Sequence, residues 1–286
     1  MHGTAPVPHK EIEVKLELAQ AHLPNLKKIP LFQAIESLPR TTQQVSVYFD
    51  TDERKLRLEG LMLRVRREAG HYIQTIKANG NSAGFQRDEW ETEIAGKQPD
   101  LRKASGTALE RLLSKKFRRR LKPLFETRVR RTVYPLVHNG HAIALAVDRG
   151  TIETGKRSQP LCEIELELER GTAADLFDVA RELSEALPVR LALKSKSERG
   201  YEIIDGADEL PAKAAAIDLP GGATARDAFG VIGLACLKQI IGNGPALVRA
   251  DPEGVHQMRV GLRRLRAAMP LFAPLQSITK SRAGPV

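Results

Sequence analysis

Apolar residues alternate with charged ones in many short runs along the first two thirds of the chain, at Glu11–Leu18, Gln44–Phe49, Leu61–Arg67, Tyr72–Ala78, Glu89–Ile94, Phe125–Val133, Ala142–Val147 and Cys162–Leu168. A period of two is the mark of a strand with one buried face, and turn pairs separate the runs at Gly70-His71, Asn79-Gly80 and Asn139-Gly140. The pattern predicts a large, mainly antiparallel sheet. Two stretches break it with helical spacing. Ala104–Phe117 carries Leu109, Leu112 and Leu113, and Thr172–Leu187 carries Leu176, Phe177, Ala180 and Leu183, with Thr172 and Asp175 placed as a cap. Asp208–Gly222 is rich in Ala, Pro and Gly without a period and reads as a linker. Beyond it Val255, Met258, Leu262, Leu265 and Met269 recur in steps of three and four, which predicts a helix with a buried apolar seam.

The residues between the apolar ones change this picture. Glu11, Glu13, Lys15 and Glu17 share one face of the first strand, opposite Ile12, Val14, Leu16 and Leu18. Glu163, Glu165, Glu167 and Glu169 repeat the arrangement, Arg64 and Arg66 oppose Leu63 and Val65, and Arg87, Glu89, Glu91 and Glu93 form another row. A single such row is the solvent side of an amphipathic sheet. Several rows mixing both signs fit a closed barrel better, with the apolar faces outward beneath helices and the charged faces lining the lumen. Such a lumen is costly unless its charges are compensated, and a polyphosphate with bound metal ions compensates both signs.

Bulk properties narrow the partner. The chain has 286 residues, 42% hydrophobic and 28% charged, with a formal net charge of +10, so an anionic partner is expected. Its uninterrupted apolar runs are shorter than a membrane span, its N-terminus has no apolar signal core, and Cys162 and Cys236 read as reduced thiols. A cytoplasmic protein without membrane contact is expected. The two cysteines and scattered histidines do not compose a zinc site, and Gly242-Asn243-Gly244-Pro245 is too short for a phosphate-binding loop. The run Lys115-Lys116-Phe117-Arg118-Arg119-Arg120 reads as a solvated basic face, able to raise local anion concentration, rather than as a nucleic-acid site.

Glu11-Ile12-Glu13-Val14-Lys15 resembles the ExExK signature of the CYTH superfamily, the triphosphate tunnel metalloenzymes. Further matches follow in order: Leu63-Arg64-Val65-Arg66, Thr75-Ile76-Lys77, Asp88-Glu89-Trp90, Arg131, Ala146-Val147-Asp148, Cys162-Glu163-Ile164-Glu165, Ser195-Lys196 and Arg199-Gly200-Tyr201. The pattern is most similar to bacterial inorganic triphosphatases that carry a CHAD domain, whose opening resembles Val255-His256-Gln257-Met258-Arg259 and Leu262-Arg263-Arg264-Leu265-Arg266. The resemblance implies an α+β fold, a closed antiparallel β tunnel of about eight strands with flanking helices, followed by an incomplete all-α segment. The implied divisions are residues 9–205 for the tunnel, 206–222 for the linker and 223–286 for the first part of a truncated CHAD-like domain.

The resemblance also implies roles. Glu11, Glu13, Glu163 and Glu165, assisted by Glu89 and Asp148, are the expected ligands of Mg²⁺ or Mn²⁺, and Lys15, Arg64, Arg66, Lys77, Arg131 and Lys196 the expected grip on phosphate. Glu163, Glu165 and Lys196 are the candidate catalytic residues, the two glutamates placing the attacking water. A one-residue slip exchanges Arg131 for Arg128 or Arg130, and Lys194 competes with Lys196. His256, Arg259, Arg263 and Arg266 are candidate polyphosphate ligands of the CHAD part. The expected activity is hydrolysis of inorganic triphosphate to pyrophosphate and phosphate. The alternatives are a non-catalytic polyphosphate-binding module, an adenylate cyclase of the class IV type, and a thiamine triphosphatase.

Overall fold

The computed structural model describes residues 8–35, 37–79, 86–155, 157–206, 210–219 and 221–273. The chain divides into two compact units, Met1–Gly206 and Ala207–Val286. Gly80 of the turn expected at Asn79-Gly80 and the end of the chain beyond residue 273 lie outside the described residues.

The first unit holds β1 (His9–Glu17), β2 (Arg40–Asp50), β3 (Leu61–Glu68), β4 (His71–Asn79), β5 (Gln86–Ile94), β6 (Lys122–His138), β7 (His141–Thr154), β8 (Arg157–Arg170) and β9 (Arg190–Ala192). Its helices are α1 (Pro30–Gln33), α2 (Lys55–Leu58), α3 (Lys115–Arg120), α4 (Ala173–Ala186) and α5 (Lys196–Asp205). The strand order is β5-β4-β3-β2-β6-β7-β8-β1-β9, and β5 also pairs with the start of β1. That last pairing closes eight strands into an antiparallel tunnel, with β9 added against β1.

Closure turns the apolar faces outward. Val14 and Leu16 of β1, Leu145 of β7 and Ile164 and Leu166 of β8 pack in one cluster with Leu176, Val179 and Leu183 of α4. On the opposite side, Leu63, Val65 and Ile76 pack beneath Ala104, Leu109 and Phe117. Burying each such side chain stabilises the fold by about 1.5–3 kcal/mol. Thr172 and Asp175 form the capping box of α4, whose buried stripe uses Val179, while Phe177 is exposed.

The helix expected over Ala104–Phe117 is not formed. Residues 101–109 are turns, Glu110–Leu112 is a single 3₁₀ turn, and α3 begins only at Lys115. Gly106 takes a φ of 79°, the Thr107 hydroxyl donates to Ala104 O, and the Glu110 carboxylate accepts from Ser105 Oγ and the Gly106 amide. These local bonds give the backbone an alternative to the helix while Leu109 still reaches the core.

The second unit contains α6 (Ala225–Gly242), α7 (Gly244–Val248) and α8 (Pro252–Leu271). Its described linker residues form no regular element, and Asn243 ties them down by bonding both the N–H and C=O of Ala212. The seam expected on α8 is not the buried one. Val255, Leu262 and Met269 are 38%, 45% and 48% exposed, whereas Gly254, Gly261 and Ala268 are buried. A Cβ on Gly254 would lie 2.1 Å from Ala246 Cβ, and one on Gly261 would lie 2.8 Å from Ile240 Cγ1. Small residues therefore let the helices approach closely, and the large apolar side chains are left on the outside. Against the expectation drawn from short apolar runs, Ala225–Val248 is long and apolar enough by length and composition to cross a membrane. Within that stretch Gln239 and Asn243 are buried and hydrogen bonded, Gln239 to Gln257 and Arg264 of α8.

Candidate active site in the charged tunnel

The register of the sheet determines which charges meet. Arg131 of β6 lies opposite Asp148 of β7, which lies opposite Glu163 of β8. Lys15 lies opposite Glu165 and Glu13 opposite Glu167, while Lys77 lies opposite Glu89. Alternation turns these side chains to the inner face of the sheet, around a cavity of about 370 Å³ with cationic side chains in excess along its lining.

At one part of the wall three carboxylates converge. Asp148, Glu163 and Glu165 each bring an oxygen within 4.8 Å of the others, and the Asp148 and Glu163 side chains are almost fully buried. Arg131 forks onto Asp148 through Nε and Nη2 at 2.8 and 2.7 Å and also binds Glu165. Lys196, the first residue of α5, places its ammonium 2.8 Å from Asp148 and 2.9 Å from Glu165, in contact with Glu163 as well. Burial works against every one of these charges, but the opposite charges outweigh it for most. Lys196, Arg131 and Lys15 hold the Glu165 carboxyl well below the usual range, and Lys196 and Arg131 lower Asp148. Burial prevails at Glu163 and pushes its carboxyl up, with Lys196 opposing only in part.

Farther along the wall Lys77 binds Glu11 and lies 3.3 Å from Glu89, and Lys15 binds Glu13. Burial first, then the neighbouring Glu11, pushes the Glu167 carboxyl up to about 7. Arg64 and Arg66 sit 3.8 and 3.5 Å from Glu91, and the buried Nε of each makes no hydrogen bond. Burial and the adjacent Arg64 lower the Arg66 guanidinium, so negative charge placed beside it is favoured.

The structure thus brings Glu11, Glu13, Lys15, Arg64, Arg66, Lys77, Glu89, Arg131, Asp148, Glu163, Glu165 and Lys196 to one lumen or its wall. Arg128 and Arg130 are exposed on the other face of β6, Arg128 pairing with Glu126 and Glu153. Lys194 also lines the cavity but is bound to Glu202 at 3.0 Å. Glu93 is exposed and pairs with His71, and Glu17 lies near Arg190 and Arg199. His256, Arg259, Arg263 and Arg266 line a separate shallow groove on α8.

Sequence reasoning passed over several wall residues. Arg87 stood in the charged row read for β5, with the parity of Glu89, but was given no role at the site. Arg57 carried no signal, because it lies on the short α2 outside any alternating run. The Tyr201 hydroxyl donates to the buried Asp50 carboxylate at 2.7 Å, which also accepts the amides of Thr51, Leu56 and Arg57. This knot joins α5 to α2 at the tunnel wall. Gly200 permits the approach, since a Cβ there would lie 2.2 Å from the Phe125 ring.

The donor chemistry suits a hard divalent cation. Asp148, Glu163 and Glu165 form an all-oxygen set, and neither buried oxygen of Glu163 completes a hydrogen bond despite the nearby ammonium.

Residues 9–201 match the CYTH domain model, and residues 232–283 match the CHAD domain model. An inorganic triphosphatase of Haemophilus influenzae is 31% identical over 160 residues, covering 54% of this chain and 44% of the relative. The aligned part of the chain therefore spans less than half the length of that curated relative. Among solved structures, a putative adenylyl cyclase from Hippeastrum, described as having a dominant triphosphatase activity, is 22% identical with a TM-score of 0.48, covering 67% of this chain and 95% of that one. A putative adenylate cyclase from Bacillus halodurans is 18% identical with a TM-score of 0.44, covering 62% of this chain and 90% of that one.

Proposed function

The chain belongs to the CYTH domain family, and from that premise we propose that it hydrolyses inorganic triphosphate to pyrophosphate and phosphate inside the tunnel, with Mg²⁺ or Mn²⁺. One observation carries the reading: the tunnel wall holds guanidinium nitrogens without a hydrogen bond, the Nε of Arg64 and of Arg66, together with three converging carboxylates, Asp148, Glu163 and Glu165. Leaving such groups unsatisfied is costly, and a linear polyanion carrying a divalent cation satisfies both. The 31% identity to the Haemophilus influenzae inorganic triphosphatase supports the same substrate.

In this reading Lys15, Arg64, Arg66, Lys77, Arg131 and Lys196 bind the phosphate oxygens, the arginines by bidentate forks and the lysines as point charges. Glu11, Glu13, Glu89, Asp148, Glu163 and Glu165 hold the cations. A bound divalent ion supplies charge neutralisation on the phosphate oxygens and acidifies water. Glu163 and Glu165 place the attacking water in line with the leaving group, and Lys196 offsets the charge that develops. Phosphoryl transfer needs little covalent help, so positioning and electrostatics account for most of the rate.

The proposed divisions are a tunnel domain over 9–205, a linker over 206–222 and a CHAD-like helical part from 223. The groove of His256, Arg259, Arg263 and Arg266 is the proposed polyphosphate contact of that part. The free thiols Cys162 and Cys236 fit a cytoplasmic setting.

The test is phosphate release by the purified chain from triphosphate, ATP and long polyphosphate, each with Mg²⁺, Mn²⁺ or EDTA. Metal-dependent release from triphosphate in preference to ATP is expected. Polyphosphate binding with no release from any of them would overturn the hydrolase in favour of a binding module.

A further inference from the structure

Lys196 and a divalent cation call on the same oxygen atoms. The ammonium touches Asp148, Glu163 and Glu165, the three carboxylates that converge within 4.8 Å. Arg131 already binds Asp148 and Glu165 from its own side, and Arg199 Nη1 lies 3.8 Å from Glu163. A doubly charged ion added to this cluster meets the lysine as a like charge at short range, where protein surroundings screen little. The lysine has to leave as the metal enters.

It has room and reach to do so. The side chain borders the tunnel cavity beside Lys15, Arg131 and Lys194, and a four-carbon stem turns by rotamer changes alone. The helix that carries it stays in place, held by Tyr201 to Asp50, by Arg199 to Pro160 O at 2.9 Å and by Arg157 to Ile203 O at 2.8 Å. Cationic side chains outnumber the carboxylates along the cavity, so an anion that enters with the metal favours the displaced ammonium. A phosphate chain provides one.

We infer that Lys196 is a displaceable counter-ion, so that the metal takes the carboxylates more readily as a triphosphate takes the lysine. This deepens the triphosphatase reading and rests on it: metal and triphosphate bind cooperatively, coupled through this one side chain. By linkage each ligand strengthens the other by the same factor.

The experiment titrates the full chain with Mn²⁺, reading free Mn²⁺ by electron paramagnetic resonance, without and with a methylene-bridged triphosphate analogue at matched free Mn²⁺. In the wild type the analogue is expected to tighten Mn²⁺ binding by about 10-fold or more, within the usual range of coupling. Lys196→Gln, which keeps a donor but no charge, is expected to bind Mn²⁺ about 10-fold tighter without analogue and to lose most of the coupling. Lys196→Arg, which keeps the charge, is expected to behave like the wild type. If Lys196→Gln binds Mn²⁺ no tighter than the wild type, or Lys196→Arg binds as tightly as Lys196→Gln, the inference is overturned. Should Lys196→Gln fold only with metal, the Mn²⁺ concentration that folds it reads the same affinity. A wild type that does not bind the analogue overturns the triphosphate reading instead, while the analogue-free comparison still decides whether lysine and metal compete.

Discussion

Replacing Arg131 by Met removes a guanidinium that forks onto Asp148 at 2.8 and 2.7 Å and also binds Glu165, and puts an apolar side chain in its place. Asp148 has a side chain only 1% exposed, so water does not take over. Breaking a buried pair by removing one partner costs about 3–5 kcal/mol, and the lower end applies because Lys196 remains 2.8 and 2.9 Å from the two carboxylates. The expected loss is about 3 kcal/mol near pH 7.5.

Its pH dependence has a definite sign. In the wild type, opposing charges outweigh burial and hold Asp148 and Glu165 below the usual carboxylate range. Their stabilisation is fully present above the unfolded value near ~4 and is lost only as pH falls through the lower folded values. Neither carboxyl therefore gives the wild type a slope between pH 7.5 and 5. In the variant burial prevails, a carboxyl stays protonated in the folded chain, and stability falls as pH rises. The deficit should hold near pH 7.5 and shrink by about 1.4 kcal/mol per pH unit only once the pH falls through the raised folded value, which leaves about half of it at pH 5. Urea unfolding followed by the emission of Trp90, which packs against the outer core of the tunnel, measures both numbers. A deficit under about 1 kcal/mol at pH 7.5, or one that does not narrow at pH 5, would refute the reasoning.

Other substitutions probe separate links. Glu13→Gln and Arg66→Ala should each lower triphosphate turnover by roughly 10²-fold while circular dichroism stays native, and near-full turnover in either would remove that residue from the site. Tyr201→Phe leaves the Asp50 carboxylate without its hydroxyl donor and should cost about 1.5–3 kcal/mol in a denaturant melt; an unchanged midpoint would mean that the bond contributes nothing. At Gly150 a Cβ would lie 1.8 Å from the backbone oxygen of Arg128, which cannot swing aside, so Gly150→Ala should destabilise the tunnel by about 3 kcal/mol, the upper end for overpacking. A thermal midpoint within a degree of wild type would show that the strands slide apart freely.

Most of the tunnel was legible along the chain because strand parity is local. Glu11, Glu13 and Lys15 alternate with Ile12 and Val14, and the same period recurs in Leu63–Arg66 and Cys162–Glu165, so each strand declares its two faces. The eight runs read from this period each lie mostly within an observed strand, and Thr172 and Asp175 cap α4 as their spacing predicts. Where the rule was weaker, the reading failed. Leu109, Leu112 and Leu113 have helical spacing, yet Gly106 and the bonds of Glu110 to Ser105 and Gly106 hold the segment in turns. On α8 a heptad-like seam of large residues was expected inside, but Gly254, Gly261 and Ala268 allow a closer contact and were chosen by the neighbouring helix.

By itself the sequence determined which residues face each other's side of every strand, that both signs of charge share those faces, and hence that a lumen lined with them needs a charged ligand. Only the tertiary structure decided the pairing between strands: that Arg131 rather than Arg128 or Arg130 meets Asp148, that Asp148 lies opposite Glu163, and that Lys196 reaches all three carboxylates from the start of α5. The physical reason is the range of the two kinds of information. Parity follows from the geometry of adjacent residues, whereas register is set by closure of the barrel and by packing from distant segments, such as Tyr201 on Asp50 and Gly200 on Phe125.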